Sequence, residues 1–173
     1  MGKVGLKIKA NLKNVDKLYP MDLDQFGWAL KVKCTGCGEE NPNWHVVSQK
    51  EETELIRASA NFVYKCKCCN RQNSLLIIPL SSLMSNTKKV PDKKNLETVY
   101  LDSDEEQFKT IIGFDCRGLE LTDFEPRDGW AVQSGKKIFD DVDLSSKDWC
   151  DYNEIDNIPV EITNFESKFE TYK

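Results

Sequence analysis

The chain has few of the residues that common catalytic sites require. Its 173 residues include one histidine, His45, so a Ser-His-Asp or Cys-His arrangement could be built only around that side chain. The sequence Trp44-His45-Val46-Val47 is typical of the start of a strand, and we interpret His45 as structural. Gly135-Lys136-Lys137 lacks the preceding glycine loop of a phosphate site, and the acidic clusters lack the spacing of a calcium-binding loop. We therefore expect a protein that is not an enzyme.

Long apolar segments are also missing. No hydrophobic run approaches the roughly 20 residues that a membrane-spanning helix needs, and there is no Asn-x-Ser/Thr glycosylation sequon. Hydrophobic residues make up 39% of the chain and charged residues 31%, as in an ordinary globular protein. We expect a cytoplasmic protein without a membrane partner, with the nucleus as a possible additional location.

Cysteine is present in a pattern that favours a metal site. Two Cys-x-x-Cys pairs, Cys34-Thr35-Gly36-Cys37 and Cys66-Lys67-Cys68-Cys69, are separated by 28 residues. Four thiolates arranged in two such pairs are typical of a tetrahedral structural zinc site. Gly38 and Asn70 follow the pairs, and both tolerate the left-handed backbone that lets a metal knuckle turn its amides toward the sulfurs. The predicted ligands are Cys34, Cys37, Cys66 and Cys69, with one Zn²⁺ per chain.

Several alternative roles for the cysteines stay open at this point. Iron also accepts a tetrahedral sulfur cage, and free cysteines are often small buried hydrophobic residues. A disulfide framework is disfavoured because the cysteine count is odd, at seven, and no secretory signal is expected. A thioredoxin-like redox centre would begin a helix, whereas residues 38–43 are typical of a loop.

Alternating apolar residues predict a β protein with an internal repeat. The segment from Phe26 to Cys37 matches the segment from Phe108 to Leu119, with Phe, Cys and Gly at equal offsets. Cys66 is matched by Cys150, and Leu119 and Asn153 stand where the second cysteines would be. Two remaining thiols, Cys116 and Cys150, are too few for a second structural zinc site, so we interpret them as relics or core residues.

The predicted fold is all-β and mainly antiparallel, with two similar sandwich-like or barrel-like units related by duplication. Residues 1–80 would form the zinc-binding unit and residues 81–173 the metal-free unit, packed together as one body. The segment 3–13 alternates between apolar residues and lysines, which predicts a strand with one basic face. Residues 81–95 are typical of a linker. The one helix-like stretch, residues 49–60, fits a surface loop equally well.

Charge is unevenly distributed between the predicted units. Residues 1–80 carry 12 Lys and Arg against 8 Asp and Glu, whereas residues 81–173 carry 12 against 21. Five cations lie beside the knuckles, at Lys31, Lys33, Lys65, Lys67 and Arg71. They could contact nucleic-acid phosphates, but the pI near 5.1 disfavours that function. The same cations also lower thiol pKa values and offset the charge of a zinc tetrathiolate.

The sequence resembles the eukaryotic family of CXXC-motif-containing zinc-binding proteins. The resemblance rests on Lys33-Cys34-Thr35-Gly36-Cys37, Lys65-Cys66-Lys67-Cys68-Cys69, Cys116-Arg117-Gly118-Leu119 and Asp123-Phe124-Glu125-Pro126. It implies a β-rich fold of two similar units, one zinc held by Cys34, Cys37, Cys66 and Cys69, and no established enzymatic activity. Cys68 is an added thiol inside the second knuckle, and residues 86–103 are longer than the family pattern leads us to expect.

Three functional hypotheses follow. The first is a zinc-stabilised, non-catalytic scaffold that presents a surface to an unidentified protein partner. The second is metal handling, in which the extra thiol Cys68 helps the site to exchange a thiophilic ion. The third, and less favoured, is a nucleic-acid binder that uses the lysines beside the knuckles.

Overall fold

The computed structural model describes residues 2–84 and 96–173, and these residues form fifteen antiparallel strands and one five-residue α-helix. The prediction of an all-β, antiparallel fold is confirmed. The elements are β1 (Gly2–Lys13), β2 (Lys17–Pro20), β3 (Trp28–Cys34), β4 (His45–Val47), β5 (Thr53–Leu55), β6 (Ala58–Ala60), β7 (Phe62–Lys65), β8 (Gln72–Ile78), α1 (Leu80–Met84), β9 (Tyr100–Leu101), β10 (Lys109–Arg117), β11 (Leu119–Glu125), β12 (Trp130–Ser134), β13 (Lys137–Val142), β14 (Trp149–Asn153) and β15 (Ile158–Tyr172).

A six-stranded sheet forms the centre of the molecule, in the order β14-β15-β1-β10-β8-β7. The alternation predicted for β1 is confirmed, because Val4, Leu6, Ile8 and Ala10 are buried in the core. Its lysines do not form a free basic face. Lys7 pairs with Glu170 of β15, and Lys9 lies 3.1 Å from a carboxylate oxygen of Glu166.

The strands of the two predicted units are interleaved. β1 pairs on one side with β10 and on the other with β15, so residues 1–80 and 81–173 build one sheet together. Two smaller sheets, β11-β3-β4 and β13-β12-β2-β9, also mix strands from both parts of the chain. The large sheet is symmetric in its strand order: β1 lies beside β10 at the centre, β15 and β8 flank them, and β14 and β7 form the two edges. The proposed duplication itself stays a prediction.

A large hydrophobic core joins the sheets. Trp28 and Trp130 are fully buried at its centre. Phe26 contacts both indole rings, and Phe114 and Phe124 contact the ring of Trp28. The side chains come from strands on both sides of residue 80, so the two predicted units share this core. Burial of these large rings is a main source of the stability of the fold.

Two parts of the sequence prediction need correction. The helical interpretation of residues 49–60 is wrong, because β5 and β6 form a hairpin there. The side-chain amide of Asn61 donates to the carbonyl oxygens of Gln49 and Glu51, which fixes the loop that precedes the hairpin. The first residues of the predicted linker, 81–84, belong to the helix α1, which begins at Leu80. The rest of that linker, residues 85–95, lies outside the described residues. Within the part of the chain that the structure describes, no helix is long and apolar enough to cross a membrane.

A hydrogen-bonded clasp joins β12 to the β14–β15 turn. The amide of Asn153, which is fully buried, donates to the Ser134 carbonyl at 2.9 Å and to an Asp156 carboxylate oxygen at 2.9 Å. Its own carbonyl accepts from the backbone amides of Ile155 and Asp156. Every hydrogen-bonding atom of this buried amide group is therefore used, as burial of a polar group requires.

Candidate metal centre

The four predicted cysteines converge on one point. The sulfurs of Cys34, Cys37, Cys66 and Cys69 all lie within 4.8 Å of one another. The Cys34 and Cys69 sulfurs are 3.7 Å apart, and those of Cys37 and Cys66 are 3.6 Å apart. A tetrahedron with Zn–S bonds of about 2.3 Å has edges of about 3.8 Å, so this donor set fits one zinc ion.

The first knuckle follows β3 directly. The Gly38 amide donates to the Cys34 carbonyl at 2.9 Å, and the Cys34 amide donates to the Glu39 carbonyl at 2.8 Å. Gly38 has φ of 78°, the left-handed conformation predicted from the sequence. The Thr35 amide reaches across to the Gly118 carbonyl at 3.0 Å, which anchors the knuckle to the start of β11.

The second knuckle is the turn between β7 and β8. The Asn70 amide donates to the Cys66 carbonyl at 2.9 Å, and the Cys66 amide donates to the Arg71 carbonyl at 2.9 Å. Asn70 adopts φ of 60°, which confirms the second left-handed prediction. Because β3 belongs to the three-stranded sheet and β7–β8 to the six-stranded sheet, a metal held by both knuckles would tie the two sheets together.

Sequence reasoning missed Asn73 of β8, a buried residue beside the sulfurs. Its side-chain amide donates to the Cys34 sulfur at 3.4 Å, while its carbonyl oxygen is buried without a hydrogen-bond partner. The Asn73 hydrogen bond is the main cause that lowers the pKa of Cys34 to about 6. The sequence does contain a hint of this role. Asn73 alternates with the buried positions Leu75 and Ile77 of the same strand, so its polar side chain is expected to point inward.

The cluster contains two kinds of thiol. The backbone amide of Cys69 is the main cause that lowers the pKa of Cys66. For Cys37, the Glu39 amide acts to lower the pKa, but local desolvation and the neighbouring sulfurs outweigh it and raise the value to about 12. Cys34 and Cys66 are buried, whereas Cys37 and Cys69 are exposed. Metal binding must displace the remaining protons and is therefore favoured by rising pH.

The other three cysteines lie apart from the cluster. Cys68 is exposed on the second knuckle. Cys116 is buried in β10, where desolvation raises the pKa of its thiol to about 12. Cys150 is exposed in β14 rather than at a turn, and β15 and β1 lie between its strand and that of Cys116. Among the described residues, the only cluster able to hold a metal through at least three His, Cys, Asp or Glu side chains is the four-cysteine one.

The cations beside the knuckles are not equivalent. Lys33 lies 4.0 Å from a Glu120 carboxylate oxygen, and Lys31 lies over the Trp44 ring at 4.9 Å from its centroid. Lys65, Lys67 and Arg71 are exposed and have no carboxylate within 4.0 Å in the described part of the chain. The positive charge available to a ligand is thus concentrated on the second knuckle.

His45 is packed among aromatic rings. Its ring centroid lies 4.9 Å from that of Phe62 and 5.9 Å from that of Tyr64, and desolvation lowers its pKa. It begins β4, as the sequence predicted. These contacts support the interpretation of His45 as a structural residue.

Comparison with known proteins identifies the family. The eukaryotic family described as CXXC motif containing zinc binding protein matches residues 5–170. The chain belongs to this family. The human protein of that name is 42% identical over 89% of this chain and 89% of its own length. The Drosophila melanogaster protein UPF0587 protein CG4646 is 40% identical over 98% of this chain and 97% of its own.

Solved structures of similar proteins share the fold. The crystal structure of C1orf123 superposes with a TM-score of 0.84 at 38% identity, covering 98% of this chain and 99% of the other. A hypothetical protein from Plasmodium falciparum superposes with a TM-score of 0.80 at 27% identity, covering 98% of this chain and 100% of the other. The chain is therefore a zinc-binding family member whose four-cysteine cluster can hold one metal ion.

Proposed function

We propose that this family member is a non-catalytic scaffold for protein partners and that Cys34, Cys37, Cys66 and Cys69 bind one structural zinc ion. The supporting observation is that four sulfurs lie at the spacing of a tetrahedral cage. Four thiolates fill the coordination sphere of zinc, so no position is left for the water or substrate that a catalytic zinc requires.

Zinc in this position would fix the conformation of the surface that the two knuckles form. It would hold the turn after β3 against the β7–β8 turn, and both turns are largely exposed. Structural zinc in small finger peptides contributes roughly 10 kcal/mol or more to folding. Here the large sheet and its core lie beyond the site, so the metal mainly fixes the two knuckles and the residues beside them.

The test compares metal content, fold and partner binding in two variants. Cys66→Ser removes a buried member of the cluster, and Cys150→Ser removes an exposed thiol outside it. We expect one zinc per chain in the wild type and in Cys150→Ser, and loss of zinc with local unfolding in Cys66→Ser. Proteins captured from cell extract by the first two should be lost with the third. A metal-free wild type that is fully folded, or capture that is indifferent to Cys66→Ser, would contradict the proposal.

A second candidate function is metal handling, supported by the exposure of three neighbouring thiols. Cys37, Cys68 and Cys69 are all exposed, so an incoming chelator or acceptor protein can reach the cluster. Exchange of zinc with a competing chelator within minutes, and slower exchange in Cys68→Ala, would support it. Equal exchange rates in Cys68→Ala and wild type would count against it, because Cys68 would then take no part in transfer.

A further inference from the structure

A cleft lies between the β5–β6 hairpin and the six-stranded sheet. Leu55, Ile56 and Arg57 line it from the hairpin, and Gln72 and Arg117 line it from β8 and β10. Its volume is about 540 Å³. Gln72 follows the second zinc knuckle by three residues, so the cleft opens beside the metal centre without sharing its sulfurs.

The hairpin places an aliphatic side chain fully in solvent. Ile56, at the tip between β5 and β6, has a relative exposure of 103% and is the most exposed large hydrophobic residue described. A single exposed apolar side chain is common on protein surfaces and indicates little by itself. Here Leu55 adjoins it and is only partly buried, so two aliphatic side chains are available on one wall of the cleft.

Two arginines in the same cleft have no acidic partner. Arg57 and Arg117 are exposed, and no carboxylate of the described residues lies within 4.0 Å of either guanidinium. This contrasts with Lys7 and Lys9 of β1, which are paired with glutamates. One carboxylate, Glu54, lines the cleft. Lys65, which faces Gln72 across the strands, extends the positive charge toward the zinc knuckle.

We propose that this cleft binds an acidic protein segment that carries an aliphatic side chain. The aliphatic side chain packs against Leu55 and Ile56, and neighbouring carboxylates accept hydrogen bonds from Arg57 and Arg117. Arginine suits this function because its planar guanidinium can bind a carboxylate through two parallel hydrogen bonds. The inference deepens the proposed scaffold function, on which it rests, by naming the chemistry of the partner.

The lining favours a peptide over a nucleic acid. Single-stranded RNA and DNA are usually held by bases stacked on aromatic rings, and none of the described residues that line the cleft is aromatic. The chain as a whole carries a net charge of −5, which disfavours a long polyanion but permits a short acidic segment to contact a local basic surface.

Fluorescence anisotropy with a defined probe tests the proposal. The probe is a labelled peptide of about twelve alternating glutamate and leucine residues, which presents both chemistries at the spacing of an extended segment. We expect saturable binding that weakens about tenfold or more in Arg57→Glu/Arg117→Glu and several-fold in Ile56→Ser. Lys136→Glu and Ile138→Ser change exposed residues on the other half of the chain, where Ile138 is 52% exposed, and should bind the probe as the wild type does.

Three controls make the outcome decisive. Zinc content and circular dichroism should be unchanged in every variant, because all the substituted side chains are exposed. Replacing the glutamates of the probe by glutamine, or its leucines by serine, should abolish binding. Binding of the probe that is equal in wild type and Arg57→Glu/Arg117→Glu would overturn the proposal. So would tighter binding to oligouridine, binding to phosphatidylserine vesicles through Ile56, or self-association through the cleft.

The same double variant separates this inference from the proposed scaffold function. If zinc-dependent partner capture persists in Arg57→Glu/Arg117→Glu while probe binding is unaffected, the cleft proposal fails and the scaffold remains. If Cys66→Ser leaves partner capture intact, the zinc-dependent scaffold fails whatever the probe does. Loss of both capture and probe binding in the double variant supports the two together.

Discussion

The rings of Trp28 and Trp130 meet edge to face at the centre of the core. Their centroids lie 6.3 Å apart and their planes are inclined at 87°. Both residues are fully buried, and Phe26 contacts each ring, at centroid distances of 4.5 Å and 4.9 Å. Since Trp28 lies in β3 and Trp130 in β12, this contact joins the two smaller sheets through one shared core.

Truncation of either tryptophan should destabilise the whole molecule. We expect Trp28→Ala and Trp130→Ala each to lower the free energy of unfolding by about 3–5 kcal/mol, because each leaves a large cavity. Urea unfolding followed by circular dichroism measures this. The double variant should cost less than the sum by about 0.5–1.5 kcal/mol, the usual coupling of an aromatic pair. Strict additivity would show that the two rings do not interact energetically.

Removal of zinc should loosen one end of the molecule and leave the large sheet folded. With a chelator present, hydrogen exchange should accelerate in the two knuckles, at residues 34–39 and 66–71. The pairing of β1 with β10 and β15 does not involve the knuckles and should stay protected. Mass spectrometry of exchanged peptic fragments provides the measurement. Uniform deprotection of the chain would mean that the metal is required for the entire fold.

Asn73 should tune the pH at which the cluster releases zinc. Its amide donates to the Cys34 sulfur and is the main cause of the lowered pKa of that thiol. Asn73→Leu removes the donor, so the Cys34 pKa rises and protons compete with zinc at higher pH. We expect the midpoint of zinc release on acidification to move upward by about one pH unit. A chromogenic chelator added across a pH series reports the midpoint.

Asn153→Leu is the matched control for Asn73→Leu. The side chain of Asn153 is as deeply buried as that of Asn73. Its hydrogen-bond partners are Ser134, Ile155 and Asp156 rather than a sulfur. This variant should lower the unfolding free energy by about 1–3 kcal/mol without moving the midpoint of zinc release. Equal shifts of the midpoint in both variants would attribute the effect to general destabilisation.

The thiols outside the cluster should differ widely in reactivity. Cys116 is buried and its pKa is raised to about 12, so very little thiolate is present at pH 8. We expect iodoacetamide to modify it more than about a hundredfold more slowly than the exposed Cys150 of the zinc-loaded protein. Peptide mass spectrometry over time gives both rates. Similar rates would place Cys116 in contact with solvent.

A partly buried ion pair should be more sensitive to loss of its anion than to loss of its cation. The Lys109 ammonium is 8% exposed and lies 2.9 Å from an Asp104 carboxylate oxygen. Asp104→Ala leaves a cation without its partner and should cost about 3 kcal/mol of unfolding free energy. Lys109→Met keeps the apolar stem and should cost less. Thermal unfolding of the two single variants and of the double variant will show whether Lys109→Met restores stability lost in Asp104→Ala.

The convergence of the four cysteines was largely predictable from the sequence because its signals are local. Two cysteine pairs, each followed by a residue that accepts a left-handed backbone, predicted the cluster at Cys34, Cys37, Cys66 and Cys69 that the structure brings together. Alternating apolar residues also predicted the long strands β1, β3 and β10. Asn73 was missed because a polar residue in a strand is recognisable as a partner of a sulfur only once β8 is placed beside β3.

The interleaving of the two parts of the chain could not be predicted in this way. The pairing of Gly2 with Cys116 and of Lys3 with Tyr172 depends on contacts between residues far apart in sequence, which periodicity does not report. The hairpin at residues 53–60 was missed because its strands are only three residues long, too short to show a clear alternation.

The clasp at Asn153 and the cysteine cluster occupy corresponding ends of the large sheet, but they differ in what can undo them. Asn153 is held by hydrogen bonds to Ser134, Ile155 and Asp156, which need no bound metal. A metal ion held by the cysteine cluster would be one for which other proteins and chelators compete. Metal starvation would therefore alter one end of this protein and spare the other, so its shape at the knuckles would follow the zinc supply of its surroundings.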